Sequence, residues 1–328
     1  MRPTGLGLIS VIVPAYDAAA TIGGTLTGIL TQTYPDVEVV VVDDGSSDAT
    51  EAICRAYGDD VVRYHRQENA GTAAARNRAI AEARGEFVAL CDSDDVLLPS
   101  HLQAAADAYA GCPAPRRFVT CNAHLLTDAG LDHGRTVMYP PVPRPEKQRL
   151  GILEANFVPN FVLAPTAMFT ELGGYDPSCY LEDWDLWLRA IHAGWEVVPQ
   201  TDPQALYRWH STSKSNDADR VAAEEDALLG RFLDRHRDEL HPEELDYLER
   251  RLQHGSPRVF VREAEVALRD GRYAEAAQAM RAGARLNPTN RRLGLRARAL
   301  RVRPAAWLLR RRLEAIDDSL GRDTSAAR

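Results

Sequence analysis

The sequence has no long apolar run, few cysteines and fewer basic than acidic residues. No apolar run among its 328 residues approaches the ~20 that a membrane-spanning helix needs, and residues 1–7 lack the apolar stretch of a signal peptide. The five cysteines form no CxxC pair, which argues against a disulfide framework or a zinc knuckle. The net charge of −8 argues against a surface that coats nucleic acid. We therefore expect a cytoplasmic protein without a nucleic-acid partner.

Two common phosphate-binding signatures are also missing. The dinucleotide fingerprint GxGxxG does not follow the first predicted strand, where Pro14, Ala15 and Tyr16 stand instead. The pattern GxxxxGK[ST] occurs nowhere in the chain, which argues against a P-loop kinase. A sugar nucleotidyltransferase would show a glycine-rich phosphate loop and a basic residue near the first strand, and the sequence has neither.

The residues that are present alternate between strand-like and helix-like stretches. Four short apolar runs predict buried strands, at residues 8–13, 37–42, 61–65 and 87–90. Helical patterns lie between them, at residues 21–31, 49–57 and 72–83. This alternation predicts a parallel, doubly wound α/β sheet. In such a sheet, ligands bind beyond the carboxyl ends of the strands.

Acidic residues follow two of the predicted strands. Asp43 and Asp44 come after the second strand, and the segment Asp92–Asp95 follows the fourth. Carboxylates at this position can hold a hard divalent cation, which in turn binds a diphosphate. The alternative is a polar turn that caps the helix predicted near Leu98, since acidic turns are common.

Beyond residue 110 the regular pattern weakens. Residues 132–149 are rich in proline, arginine and glycine, and we expect an exposed, mobile loop there. Regular structure is predicted again at 161–169, followed by a helix over 183–192. Strand-like runs close this part of the chain, at residues 195–198 and 206–209.

From about Asp217 the chain becomes charged and helical. The stretch from Leu268 to Pro288 resembles the second half of a tetratricopeptide-type hairpin, which predicts a helix pair near residues 258–290. A stack of such hairpins normally needs three repeats, so we expect a local helix pair packed on the main domain rather than a peptide-binding platform. Nine arginines and no acid lie between Arg291 and Leu313, around Trp307. This pattern predicts either a basic amphipathic helix on an anionic membrane surface or an arginine-rich solvated face.

Several blocks of the chain, taken together and in order, resemble the family 2 glycosyltransferases, which are nucleotide-sugar enzymes of the GT-A fold. The blocks are Ser10–Tyr16, Val40–Asp48, Asn69–Asn77, Asp92–Asp95, Leu172–Asp176, Glu182–Asp183 and Arg208–His210. The order and rough spacing match from about Leu8 to Ser215. The resemblance implies a GT-A domain with a doubly wound mixed sheet over residues 1–215, and leaves a helical C-terminal extension over 216–328.

The resemblance also implies a donor site at the carboxyl ends of the first strands. The residues it assigns there are Pro14, Tyr16, Asp43, Asp44, Gly71, Arg76, Asp92 and Ser93. The ring of Tyr16 would pack against the base or, alternatively, cover the sheet edge. Asp44 would accept hydrogen bonds from a uracil-like imide, while Asp43 would share this role or hold the turn. Arg76 would face the nucleotide or form a salt bridge with an aspartate.

A divalent cation, Mn²⁺ or Mg²⁺, is the cofactor that the resemblance implies. Asp94 would bind the metal directly, as part of a DxD motif, and Asp92 would contact the ribose or reach the metal indirectly. His210 would complete the metal site or touch the diphosphate. A histidine at the end of a strand can equally be structural.

For the transfer step, the resemblance implies Asp183 as the general base. Transfer with inversion needs a group that removes the proton of the acceptor hydroxyl as it attacks the anomeric carbon. Glu182 would be a neighbour that contacts the acceptor. The alternative is that both acids simply favour the N-terminus of a helix through its macrodipole.

The implied reaction moves a sugar from a nucleotide diphosphate, of the uridine or thymidine type, to a glycan or lipid-linked acceptor. We expect the acceptor site to involve residues 132–149 and 156–165, and the product to be a cell-envelope polysaccharide or glycolipid made at the inner membrane face. A non-catalytic relative that only binds saccharide or a partner protein is the alternative. Such a relative would show a broken aspartate triplet or lack the Glu182–Asp183 pair, and both are intact.

Overall fold

The computed structural model of the chain describes residues 5–127, 130–138, 141–209, 217–286 and 291–319. Contacts divide the chain into two compact units. The first comprises residues up to 126 together with 131–208, and the second comprises 127–130 and the residues from 209 onward. The domain boundary expected at residue 215 lies outside the described residues.

Strands are concentrated in the first unit and helices continue into the second. The strands are β1 (Ile9–Ala15), β2 (Val37–Asp43), β3 (Val62–Arg66), β4 (Phe87–Leu90), β5 (Val96–Leu97), β6 (Arg117–Cys121), β7 (His124–Thr127), β8 (Gly130–Thr136), β9 (Val162–Pro165), β10 (Glu196–Gln200) and β11 (Ala205–Arg208). The helices of the first unit are α1 (Ile22–Leu30), α2 (Thr50–Arg55), α3 (Thr72–Glu82), α4 (His101–Gly111), α5 (Gln148–Glu154), α6 (Thr166–Leu172) and α7 (Glu182–His192). The helices of the second unit are α8 (Ala218–His236), α9 (Pro242–His254), α10 (Pro257–Arg269), α11 (Tyr273–Leu286), α12 (Arg291–Ala299) and α13 (Arg303–Ser319).

A seven-stranded sheet forms the centre of the first unit, in the order β10-β6-β9-β4-β1-β2-β3. The first four strands of the chain pair in parallel, with β1 between β2 and β4. β9 runs antiparallel to both of its neighbours, so the sheet is mixed. The predicted doubly wound mixed sheet is confirmed.

The sheet is central because its inner strands are apolar on both faces. Every residue of β1 and β4 is buried, as expected for strands with helices on both sides. Val11, Val13 and Val41 belong to one hydrophobic core together with Leu26 of α1 and Leu102 of α4. With the strands fixed in this way, the polar residues that follow β1, β2 and β4 all emerge at one edge of the sheet.

A second, four-stranded sheet has the order β5-β11-β7-β8. β8 extends to Thr136, and α5 begins at Gln148, so the prediction of a loop throughout residues 132–149 is wrong. β8 is the last strand in the order, and an edge strand accommodates the glycine and charged residues that resembled a loop. The segment between them includes residues 139–140, which lie outside the described residues.

In the second unit, α10 and α11 form a helix hairpin at the position predicted for one. They share a hydrophobic core with α12 and α13, in which Leu268, Met280, Leu293 and Leu300 are buried. Four helices therefore pack together around this core. Among the described residues, no helix has both the length and the apolar character needed to cross a bilayer.

Candidate active site

Asp43, the last residue of β2, is buried and supports the loop that follows it. Its Oδ1 accepts a hydrogen bond from the amide of Ser46 at 2.7 Å, and its Oδ2 accepts one from the hydroxyl of Tyr64 at 2.5 Å. The Arg66 guanidinium lies 3.4 Å from the same Oδ2. None of the Asp43 side chain is exposed. This geometry favours the turn-holding role over contact with a ligand.

The side chain of Asp44 is hydrogen-bonded to the backbone at the start of α3. Its Oδ1 accepts hydrogen bonds from the side chain of Gln67 at 2.7 Å and the amide of Ala70 at 2.9 Å, and its Oδ2 accepts one from the amide of Gly71 at 2.8 Å. Gly71 has a φ of 88°, a conformation that glycine adopts without strain, and it directs the chain into the helix. A carboxylate offers roughly four acceptor positions, so Oδ2 keeps one for a ligand.

The end of β1 lies next to the end of β2. The carbonyl of Ala15 accepts a hydrogen bond from the amide of Asp44 at 2.8 Å, and Pro14 pairs with Val42 inside the sheet. Tyr16 follows directly and is 55% exposed. An exposed ring at this edge is suited to stacking on a planar group.

The loop after β4 presents Asp92, Ser93 and Asp94 as half-buried residues. Thr25 of α1 holds the loop from behind, since its hydroxyl lies 2.9 Å from the carbonyl oxygen of Ser93 and 2.7 Å from that of Asp95. The amide of Asp95 donates to the carbonyl of Asp92 at 3.1 Å. The backbone of the acidic loop is therefore fixed by its own turn and by α1.

Negative charge is concentrated in this loop. Asp95 is buried and accepts a hydrogen bond from the amide of Arg208 at 2.8 Å, while Nε of Arg208 donates to the carbonyl of Asp94 at 3.0 Å. Burial raises the pKa of Asp95 well above its usual range, and the charges of Asp92 and Asp94 raise it further against the opposing effect of Arg208. A bound cation would relieve this repulsion.

Arg76 of α3 connects the acidic loop with the start of α7. It donates to Oδ1 of Asp92 at 2.7 Å and to Oε1 of Glu182 at 3.1 Å, and its side chain is only 5% exposed. Burial lowers the pKa of Arg76, but Asp92 and Glu182 outweigh burial and raise it above its ordinary value. Of the two roles that the sequence leaves open for Arg76, the structure contains the salt bridge with an aspartate.

Tyr175 lies against this ion pair. Its ring centroid is 5.4 Å from the guanidinium carbon of Arg76, and its hydroxyl is buried without a hydrogen-bond partner among the described residues. The backbone of Tyr175 is held by Asn77, whose Nδ2 donates to its carbonyl and whose Oδ1 accepts from its amide, both at 2.8 Å. Gly174 has a φ of 74°, and a Cβ there would lie 2.5 Å from Oδ1 of Asn77, so this position requires glycine.

The surroundings of Tyr175 bring the candidate site residues together. Burial raises the pKa of the Tyr175 hydroxyl, and the negative charges of Asp183, Asp92 and Glu182 raise it further, while Arg76 lowers it. These carboxylates come from the β4 loop and from α7, and they act on one side chain. Arg76 contacts Asp92 and Glu182 directly, and Asp183 follows Glu182 in α7, so these four residues lie in the same part of the structure.

Asp183 is the second residue of α7 and is half-buried. Its Oδ1 accepts a hydrogen bond from the amide of Trp184 at 2.7 Å, and its Oδ2 accepts one from Nδ2 of Asn156 at 3.1 Å. The indole of Trp184 donates to the carbonyl of Ile152 at 2.8 Å, which joins α7 to α5. Glu182, expected beside the acceptor, is 11% exposed and paired with Arg76.

Asn160 is a site residue that sequence reasoning did not identify individually. Its Nδ2 lies 3.2 Å from Oδ2 and 3.5 Å from Oδ1 of Asp92, and its Oδ1 is buried without a partner among the described residues. A polar residue within the apolar run from Phe157 to Ala164 is the only signal that points to it. Tyr175 was part of the resemblance, but nothing local in the sequence shows that it contacts Arg76.

The residues of the β4 loop fit a hard divalent cation. Asp92 and Asp94 provide carboxylate oxygens, the ligands that Mn²⁺ and Mg²⁺ accept, and they lie on a loop whose backbone is held by its own turn and by Thr25. No group of three or more histidine, cysteine or acidic residues is arranged for a metal within the described part of the chain. His210, predicted as a further ligand, lies outside that part.

The fold is that of the GT-A glycosyltransferases. The structure resembles residues 1–349 of S. aureus TarS in complex with UDP-GlcNAc, with a TM-score of 0.54 at 22% identity, over 84% of this chain and 82% of that one. It also resembles the mannosyltransferase PcManGT from Pyrobaculum calidifontis in complex with GDP-Man and Mn²⁺, with a TM-score of 0.59 at 21% identity, over 94% of this chain and 88% of that one. At this level of identity the likeness concerns the fold alone.

Sequence comparison relates part of the chain to one family of this fold. Residues 10–114 match the family described as Glycosyl transferase family 2. An uncharacterized glycosyltransferase of Rickettsia typhi is 28% identical over 234 residues, which are 69% of this chain and 71% of that protein. Residues 10–114 thus carry the match to the family 2 glycosyltransferases, and the predicted resemblance to this family, the fold class and an enzyme are confirmed.

Proposed function

We propose that this glycosyltransferase is an inverting, metal-assisted enzyme that takes its sugar from a nucleotide diphosphate and uses Asp183 as general base. The observation that carries the proposal is the buried Arg76, which holds Asp92 of the β4 loop and Glu182 of α7 in one ion-pair network. Asp183 follows Glu182 directly. A donor bound against the acidic loop would therefore have the candidate base within the same site.

The nucleotide would lie at the carboxyl ends of β1 and β2. Tyr16, which is 55% exposed, would stack on the base, and the remaining acceptor position of Asp44 would receive its imide N–H. Gly71 and Pro14 shape the floor of this subsite, while Asp43 holds its loop. The structures that share the fold contain UDP-GlcNAc in one case and GDP-Man in the other. The candidate donors therefore include nucleotide sugars of uridine and of guanosine.

Asp94 would hold Mn²⁺ or Mg²⁺ beside the diphosphate, with Asp92 and Ser93 next to it and His210 as a further candidate ligand. When bound, the cation neutralises charge on the departing diphosphate. One structure of the same fold contains Mn²⁺, which supports this assignment. Arg76 holds the Asp92 carboxylate in place through an ion pair of 2.7 Å.

In the transfer step, Asp183 would accept the proton of the acceptor hydroxyl. The acceptor oxygen forms a bond to the anomeric carbon from the face opposite the diphosphate. At the same time the bond from that carbon to the diphosphate oxygen breaks, and its electron pair leaves with the nucleotide. General-base catalysis of this kind contributes roughly 10²–10⁴-fold to the rate.

The experiment is a thermal-shift titration with UDP, GDP and dTDP and their sugars, with and without Mn²⁺. A ligand at ~100 times its dissociation constant adds about 2.7 kcal/mol to stability. We expect one nucleotide to raise the Tm only with metal, and Asp94→Ala to lose this shift. Asp107→Ala removes an exposed carboxylate of α4 outside the site and is the matched control, which should retain the shift.

Turnover then separates binding from chemistry. Asp183→Asn should keep the metal-dependent shift and lose about 10²–10⁴-fold in kcat, measured as nucleotide released from the active donor. Parental turnover in Asp183→Asn would exclude Asp183 as the base. The absence of a shift with every nucleotide, for the parent protein, would favour the alternative of a relative that binds saccharide or protein only.

For the acceptor we propose a glycan or lipid-linked saccharide presented at an anionic membrane surface, as in the synthesis of cell-envelope polysaccharide. The second unit exposes apolar side chains among the arginines of α12 and α13. Their exposures are 61% for Leu295, 55% for Val302, 51% for Trp307 and 61% for Leu308. Arg311 lies 5.5 Å from the ring of Trp307. Basic and exposed apolar residues together favour binding at an anionic bilayer interface.

Flotation with vesicles of phosphatidylglycerol and phosphatidylcholine tests this contact. The double substitution Trp307→Ser and Leu308→Ser should reduce vesicle binding several-fold, because apolar contacts with the interface are lost. Val259→Ser is the control, since Val259 is a 41% exposed apolar residue of α10. Equal binding of the parent and the double variant would end the membrane proposal without affecting the assignment of the donor site.

A further inference from the structure

The connector between α5 and β9, residues 155–161, sends one asparagine to each half of the site. Nδ2 of Asn156 donates to Oδ2 of Asp183 at 3.1 Å. Nδ2 of Asn160 lies 3.2 Å from Oδ2 of Asp92. A single short segment therefore contacts both the candidate base and the aspartate of the acidic loop.

The orientation of the Asn156 amide is determined by its two partners. Its Oδ1 accepts a hydrogen bond from the amide of Val158 at 3.1 Å, which forms an Asx turn at the start of the connector. If the amide were reversed, its oxygen would face the Asp183 carboxylate and its nitrogen would face the N–H of Val158, and both contacts would be repulsive. Nδ2 must therefore point at Asp183.

Asp183 in turn receives a donor on each carboxylate oxygen. The amide of Trp184 donates to Oδ1 at 2.7 Å, and this contact comes from the helix that carries Asp183 itself. Asn156 donates to Oδ2 from a different element. The first contact orients the carboxylate within α7, whereas the second connects it to another element of the site. Both have a charged acceptor, and such hydrogen bonds are stronger than neutral ones.

We propose that Asn156 is a positioning residue for Asp183, which sets the direction of the base toward the acceptor hydroxyl. This inference rests on the proposed function of Asp183. A base must be held close to its productive geometry, and a misplacement of ~1 Å can cost about 10²-fold in rate. Asn156 acts through Asp183 and is not itself a catalytic residue.

Asn156→Asp is the informative variant. Its carboxylate still accepts the N–H of Val158, so the turn is retained, but it cannot donate to Asp183. We expect kcat to fall ~10–100-fold, while the thermal shift with UDP or GDP and Mn²⁺ stays at the parental size. The parental rate in Asn156→Asp would show that only the turn matters and would overturn the proposal.

A double-mutant cycle tests the same contact without any substrate. Asn156→Asp places two carboxylates together and should lower the Tm. Combining it with Asp183→Asn exchanges donor and acceptor, so the hydrogen bond is restored and the Tm should recover above the sum of the single effects. The double variant should remain as inactive as Asp183→Asn, because the carboxylate is now on the connector. Additive changes in Tm, or recovered turnover, would overturn the proposal.

Nucleotide binding and turnover test the proposed function, whereas the stability cycle tests the contact between Asn156 and Asp183. If the parent protein neither binds a nucleotide diphosphate nor releases one from UDP-GlcNAc or GDP-Man, the proposed function fails. The stability cycle still decides whether Asn156 and Asp183 are coupled. If binding and turnover occur in the parent but the cycle is additive, the positioning role alone fails.

Discussion

Each unit of the molecule contains a buried arginine that bridges two carboxylates. In the first unit, Arg76 donates to Asp92 at 2.7 Å and to Glu182 at 3.1 Å. In the second, Arg251 of α9 lies 2.5 Å from Asp226 and 3.1 Å from Glu225, both on α8. The arginine side chains are 5% and 1% exposed. By burial and hydrogen bonding alone, the two networks are nearly the same.

The charges around the two arginines differ. Glu225 also accepts a hydrogen bond from the Ser256 hydroxyl at 2.9 Å and pairs with Arg258, so this network has two arginines and two acids. The acidic loop and the start of α7 bring five acids together with Arg76 and Arg208. The five are Asp92, Asp94, Asp95, Glu182 and Asp183. The second network lies between helices, whereas the first lies at the carboxyl ends of the sheet strands, where α/β folds bind their ligands, and its larger number of acids suits a cation.

The largest effect is expected from Arg76→Met. It leaves Asp92 and Glu182 without their cation, and breaking a buried pair in this way costs about 3–5 kcal/mol. Turnover should fall at least ~100-fold, because the acidic loop and α7 lose their link. Denaturant unfolding and nucleotide release measure the two effects. Arg76→Lys keeps the charge but not the fork that reaches both carboxylates, so it should lie between Arg76→Met and the parent.

Arg251→Met should lower the free energy of unfolding as much as Arg76→Met does, but it should leave turnover unchanged. The loss of the guanidinium removes one partner of the buried Glu225, and breaking a buried pair in this way costs about 3–5 kcal/mol. Turnover per folded molecule should equal that of the parent at a temperature where the variant is folded, which circular dichroism establishes. A large loss of turnover in this folded variant would contradict the distinction between a structural and a functional network.

Asp226→Asn should have the smallest effect. Burial raises the pKa of Asp226, although Arg251 lowers it, so the ionised form is less favourable in the folded than in the unfolded chain. The folded pKa lies above the unfolded value, and the associated stability is lost as pH rises through it. A neutral amide at this position would remove this loss. We expect the free energy of unfolding of Asp226→Asn to differ from that of the parent by no more than ~1 kcal/mol at pH 7. Denaturant unfolding at several pH values measures it, and the difference from the parent should disappear below pH ~3.8, the ordinary value.

The strands that bear the site were predictable because their signal is local. β4 was predicted at 87–90 and spans Phe87–Leu90, and β2 differs from its predicted range by the single residue Asp43. A short β-branched run between turn residues has few alternatives to a buried strand. β8 was missed because its charged residues and glycine carry no such signal and depend on pairing with β7.

By itself, the sequence determined the resemblance to the family 2 glycosyltransferases, the α/β fold and the sheet edge at which the acidic residues appear. It could not assign different roles to Asp43 and Asp44, because both follow the same predicted strand. Only the tertiary structure separated them, because Asp43 is hydrogen-bonded within its own loop and to Tyr64, whereas Asp44 is hydrogen-bonded to Gln67 and to the start of α3. Likewise only folding brings Arg76 to Glu182, which is 106 positions away. Contacts at that separation depend on how elements pack, and neither side chain carries a local pattern that names its partner.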